Sequence, residues 1–131
     1  TYPDRKKGGV FGRHAEIPHI PDYLVPQDCG VHMDTHRFTL ERRTAGQADA
    51  ARLEVCMEGK PFAFSALPYT AQELQNADHR EQLPATGRTV VTVMGAVRGV
   101  GGIDSWGADV EPAYRLSAEQ DYRLEFAVQL G

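Results

Sequence analysis

Apolar and polar side chains alternate in short runs through much of the chain, and this period of two limits the fold more than any other feature. Phe38 and Leu40 alternate with Arg37, Thr39 and Glu41, inside a stretch from Val31 to Thr44 rich in β-branched and aromatic residues. Alternation of this kind sends one set of side chains to a core and the other to water, which predicts a half-buried strand. Leu53, Val55 and Met57 alternate with Glu54 and Glu58 up to Gly59-Lys60-Pro61, and Phe62 and Phe64 repeat the pattern. Residues 45–50, which include Gly46, Gln47 and Asp49, read as the hairpin loop between the first two runs. The segment from Tyr122 to Val128 alternates cleanly and predicts a last strand. Thr89 to Met94 is the most β-prone run and has little polar alternation, so it is expected to be a central strand buried on both faces.

The breaks between these runs are equally informative. Residues 1–30 carry Pro3, Pro18, Pro21 and Pro26 with Gly8, Gly9, Gly12 and Gly30, a density that forbids long helices or central strands and predicts an extended, irregular lead-in. Thr70-Ala71-Gln72-Glu73 fits a capping box, with Leu74 and Ala77 on one helical face, and predicts one short helix over residues 71–77. Residues 95–107 form a glycine-rich loop. Several short strands, turn signals and a single helix give an all-β class, an antiparallel sandwich.

With 131 residues and 14.5 kDa, the chain allows one domain, 1–131, whose core needs neither disulfides nor a structural metal. Net charge is −4 and the longest basic run is Arg5-Lys6-Lys7, which argues against nucleic acid as a partner. No apolar stretch approaches the ~20 residues that span a bilayer, and the first thirty residues lack a signal-peptide core, so no membrane association is expected. Cys29 and Cys56 lie far apart and outside any Cys-x-x-Cys, a pattern that suits a cytoplasmic protein.

Few residues suggest chemistry. His32, Asp34 and His36 alternate along an expected strand and would project from one face, a spacing compatible with metal ligation. No second cluster supplies a third strong ligand, so the triplet reads first as polar residues on a solvated or interface-lining face and only secondarily as a metal site. No phosphate-binding glycine motif can be written through residues 95–102, and Ser65, Ser105 and Ser117 lack a nucleophile elbow. Most carboxylates, such as Glu54, Glu58 and Glu125, fall at outward strand positions, and no pair can be nominated for glycoside cleavage. The singular feature is Trp106, the one tryptophan, in Gly101-Gly102-Ile103-Asp104-Ser105-Trp106-Gly107. An aromatic plate on a loop suits sugar recognition, because the apolar C–H face of a pyranose stacks on it. The alternative is an indole that folds back to plug the sandwich.

Four blocks then occur in order: Tyr2-Pro3-Asp4-Arg5; residues 23–30, Tyr-Leu-Val-Pro-Gln-Asp-Cys-Gly; residues 62–70, Phe-Ala-Phe-Ser-Ala-Leu-Pro-Tyr-Thr, followed by Glu73-Leu74 and His79-Arg80; and residues 99–107, Gly-Val-Gly-Gly-Ile-Asp-Ser-Trp-Gly. Together they closely resemble the C-terminal, small-chain domain (domain five) of the bacterial β-galactosidases of glycoside hydrolase family two. The resemblance implies an antiparallel β super-sandwich similar to the galactose mutarotase fold, here its C-terminal half. It also implies a role in hydrolysis of terminal β-galactosides with retention. The nucleophilic and acid/base glutamates, and most of the Mg²⁺ and Na⁺ sites, belong to other domains of such an enzyme, so no catalytic residue and no cofactor is expected here. Trp106 matches the family's sugar platform, supported by Gly102, Asp104 and Ser105 of its loop.

Partners implied by the resemblance are the galactoside, the remaining domains of the same enzyme and a further copy in a homo-oligomer. Two departures stand out. Many relatives have Asp at the position of Ile103, and arginines at those of His32 and His36. The histidines are therefore expected to replace arginine hydrogen bonds in a weaker, pH-dependent way. The chain opens on Thr1, without Met, inside a family motif, and is expected to be half of a domain. Such a half must close on itself or cover an apolar sheet face and edge against another copy. A free-standing carbohydrate-binding module and a subunit-packing domain are the readings from other classes. A buried Trp106 would favour the last.

Overall fold

A computed structural model describes residues 23–42, 51–99, 104 and 106–131. The strands in chain order are β1 (His32–Thr35), β2 (Arg37–Arg42), β3 (Ala51–Cys56), β4 (Phe62–Leu67), β5 (Val90–Met94) and β6 (Ala127–Leu130), with one α-helix, α1 (Ala71–Asn76), between β4 and β5. They form two three-stranded antiparallel sheets, β1-β4-β5 and β2-β3-β6. The all-β class and the short helix follow the sequence pattern.

The two sheets meet through aromatic side chains. Phe38 of β2 and Phe64 of β4 stack with centroids 3.8 Å apart and planes 7° from parallel, and Phe62 leans against Phe38 at 6.0 Å. Val55 of β3 completes this buried cluster, and Leu40, Leu53, Met57, Val91, Val93 and Leu124 pack around it. Arg37, Thr39 and Glu41 occupy the opposite face of β2, as the alternation requires. On that outer face Glu54 receives Arg52 at 2.7 Å and lies 3.5 Å from Arg37.

The structure corrects four expectations from the pattern. The segment from Val31 is two strands, which belong to opposite sheets and are separated by His36 alone. The register against β4 slips between His32 and Thr35, and Asp34 takes φ 52°, a left-handed conformation that Asp tolerates better than most residues. That kink redirects the chain into the second sheet, where the His36 carbonyl accepts from the Met57 amide at 3.0 Å. His32, Asp34 and His36 consequently do not share a face: His32 is buried with its ring 5.0 Å from Phe64, whereas Asp34 and His36 are exposed.

The roles of β4 and β5 are also exchanged. Phe62, Ala63, Phe64 and Ser65 are all buried, so β4 is the central strand covered on both faces. Among the described residues β5 lies at the edge of its sheet, beside β4, and its residues are half-buried or exposed. The alternation from Tyr122 gives a strand only from Ala127, and residues 121–126 run up to it without ladder pairing. β6 pairs with β3, placing Val128 opposite Val55 and Leu130 opposite Leu53. They are nonetheless 54% and 79% exposed, respectively. The lead-in to residue 22 and the hairpin loop at 45–50 lie outside the described residues.

At α1 the capping box forms as expected: the Thr70 hydroxyl accepts from the Glu73 amide at 3.2 Å, and Glu73 Oε2 accepts from the Thr70 amide at 2.8 Å. Leu74 and the C-cap Ala77 are the buried residues of this segment. The Thr70 amide, the Arg88 guanidinium and the Thr70 hydroxyl together hold the Glu73 carboxyl at a pKa of about 2, against the usual 4.5. Between those values the unfolded chain binds a proton that the folded chain refuses. The Glu73 contribution to stability is therefore complete above pH 4.5 and disappears as pH falls toward 2. Denaturant titrations across that window should show a smaller fall in stability for Glu73→Gln than for wild type. Phe64→Ala, which removes the ring linking the sheets, should cost about 3–5 kcal/mol in the same assay at neutral pH; a loss below about 1 kcal/mol contradicts the assigned core.

Candidate functional site

Trp106 projects from the connection between β5 and the 3-10 turn Pro112–Tyr114. Its residue is 91% exposed, so the indole does not plug the sandwich. The loop is ordered locally by Asp104, whose Oδ1 accepts from the amides of Trp106 at 2.9 Å and Ala108 at 3.3 Å. An aspartate turn of this kind satisfies two backbone donors with one acceptor and fixes the backbone that carries the ring. Gly107, directly after the tryptophan, has φ 95°, a conformation open to glycine and strained for L side chains. Gly102 and Ser105, the other residues of the expected platform loop, lie outside the described residues.

The base of the loop is built by residues that no spacing rule singles out. The Gly99 amide donates to the Tyr114 carbonyl at 2.9 Å, tying the incoming leg to the turn that follows the loop. A Cβ on Gly99 would stand 2.7 Å from Val110 Cγ1 and 2.8 Å from Tyr114 Cβ, so the two legs approach as closely as a hydrogen side chain permits. Beside them Arg98 pairs with Asp109 Oδ1, and Arg115 Nε lies 3.3 Å from Asp109 Oδ2. Arg115 also donates to the Val110 carbonyl, and Asp109 Oδ1 accepts from the Val110 amide at 2.7 Å. Val110 is buried. Arg98 and Asp109 are eleven residues apart. Only their joint position at the mouth of a loop could have marked them as partners.

Among the described residues, no group of three His, Cys, Asp or Glu side chains is placed to hold a metal ion. Nor is any described helix long and apolar enough to cross a membrane. The arrangement therefore offers one exposed aromatic plate on a braced loop, a geometry suited to stacking on an apolar ligand face.

Comparison with known proteins gives this geometry a setting. The family model described as the β-galactosidase small chain matches residues 1–128. The chain is 52% identical over 135 residues to the β-galactosidase small subunit of Latilactobacillus sakei, covering 98% of this chain and 42% of that protein. It is 33% identical to a β-galactosidase of Streptococcus thermophilus and 35% identical to β-galactosidase BgaC of Bifidobacterium adolescentis, in each case spanning 12% of the relative. The chain thus spans less than half of the small subunit and a small part of the other relatives.

Because Gly99 has no room for a Cβ, Gly99→Ala should destabilise the chain by about 1–3 kcal/mol, the usual cost of overpacking. Ala at the open position Gly87 is the control, since nothing lies within 4 Å of a Cβ there. Equal melting temperatures for the two variants would contradict the close approach of the loop legs.

Proposed function

The chain belongs to the β-galactosidase small chain family, and from that membership we propose that it is the C-terminal portion of a retaining β-galactosidase of glycoside hydrolase family two, where it walls the sugar site. In this reading residues 1–131 form the C-terminal part of the small-chain domain, a half of a super-sandwich. The whole enzyme removes terminal non-reducing β-D-galactose from galactosides such as lactose. Its nucleophilic and acid/base glutamates, and its Mg²⁺ and Na⁺, are held by other domains, so the isolated chain is inactive. The enzyme is cytoplasmic.

The observation that carries the reading is the exposed indole of Trp106 on a loop matching the family's platform motif. Its apolar face stacks on the C–H face of the galactosyl ring or of an acceptor sugar, while the hydroxyls bond to polar groups of the neighbouring domains. The chain's contribution to catalysis is thus orientation and exclusion of water, and proton transfer occurs elsewhere. Association with those domains, or with another copy, also agrees with the uncovered apolar residues of β6, which are ill suited to lasting contact with water.

Stacking of one sugar on one aromatic plate is worth about 1–3 kcal/mol, or roughly 5- to 150-fold in binding. Trp106→Ala in the complete enzyme should raise KM for galactosides within that range and lower kcat less. An unchanged KM in a normally folded enzyme would overturn the platform assignment.

A further inference from the structure

We infer that Asp109, gripped by Arg98 and Arg115, is a positioning residue that sets the height and tilt of the Trp106 plate. This inference deepens the platform reading and rests on it. Arg98 lies on the leg that enters the loop, Asp109 on the leg that leaves it, and Arg115 beyond the 3-10 turn. One carboxylate joins all three segments, because its two oxygens face different guanidinium groups. The same Oδ1 accepts from the Val110 amide, which fixes the Asp109 side chain to the backbone beside the buried Val110 anchor.

Asp104 and Asp109 divide the work of holding the loop. Asp104 shapes the backbone around Trp106 through the amides of residues 106 and 108, contacts that lie within the loop and do not tie it to the chain on either side. The two legs of the loop are joined by the Gly99 to Tyr114 backbone hydrogen bond. The Asp109 bridge adds a second point of attachment beside it, and two points fix an angle where one does not. All three charged side chains are about half exposed. Exposed ion pairs contribute little to global stability but can still restrict a local geometry. Asp109 is therefore expected to matter for how well a sugar is met by the ring, and hardly at all for whether the chain folds.

The test is a double-mutant cycle in the complete β-galactosidase, with kcat and KM measured on an aryl β-galactoside and on lactose. Asp109→Asn keeps an oxygen for the Val110 amide and removes the charge. It should raise KM by about three- to tenfold, leave kcat within about twofold and leave the melting temperature unchanged. In a Trp106→Ala background the same substitution should have no further effect on KM, since there is no plate left to position. Arg98→Gln releases one leg alone and should give a smaller rise in KM, equally abolished in the Trp106→Ala background. Two results overturn the inference while leaving the platform intact: a KM effect of Trp106→Ala with none for Asp109→Asn and Arg98→Gln, or effects that multiply independently. If Trp106→Ala itself leaves KM unchanged, the platform reading fails and the positioning role fails with it.

Discussion

The stack of Phe38 on Phe64 holds the described structure together. Each ring comes from a different sheet, so this contact turns two three-stranded ribbons into one core. Neither ribbon could be expected to persist alone, since a few strands gain stability only when one face is covered. The single residue separating β1 from β2 is what makes the stack possible: the chain leaves one sheet at Thr35 and enters the other at Arg37, bringing Phe38 over Phe64 within a few residues. His32 lies on the same ring from the side, so three aromatic groups from three strands share one small volume.

Most strands were legible in the sequence because burial on one face writes itself as alternation. β2 and β3 show this plainly, with Phe38, Leu40, Leu53 and Val55 inward and charged residues outward. What alternation does not record is the order of strands in a sheet. β5 is richer in β-branched residues than β4 yet lies at the edge of the described sheet, whereas in β4 the small Ala63 and Ser65 are buried along with Phe62 and Phe64. Intrinsic preference gave way to packing there. The sheet switch at His36 was hidden for another reason: one left-handed residue changes direction without interrupting the hydrophobic pattern. Asp34 is among the residue types that adopt such a conformation, and was the only local sign of it.

The candidate site divides in the same way. Trp106 could be singled out because its surroundings are glycine and polar residues, which offer a large ring no local cover. Asp104, two residues earlier, stands at the spacing for an aspartate turn. Arg98, Gly99, Asp109 and Arg115 were not legible, since their relation depends on how a loop returns to its starting point. Such contacts are set by tertiary geometry, and no period in the sequence encodes them. The His32, Asp34 and His36 triplet shows the converse error, in which a regular spacing loses its meaning once the strand carrying it is bent.

The placement of the only tryptophan has a consequence for spectroscopy of this chain. An indole already facing water in the folded state meets nearly the same surroundings after unfolding, so its emission is a poor reporter of the core. Loss of the Phe38 and Phe64 stack would pass almost unseen in a tryptophan fluorescence melt, and backbone circular dichroism is the appropriate probe of folding. The same optical silence makes the indole a clean sensor of its surroundings. Any change in its emission while the backbone signal stays constant reports what has come to rest against the ring.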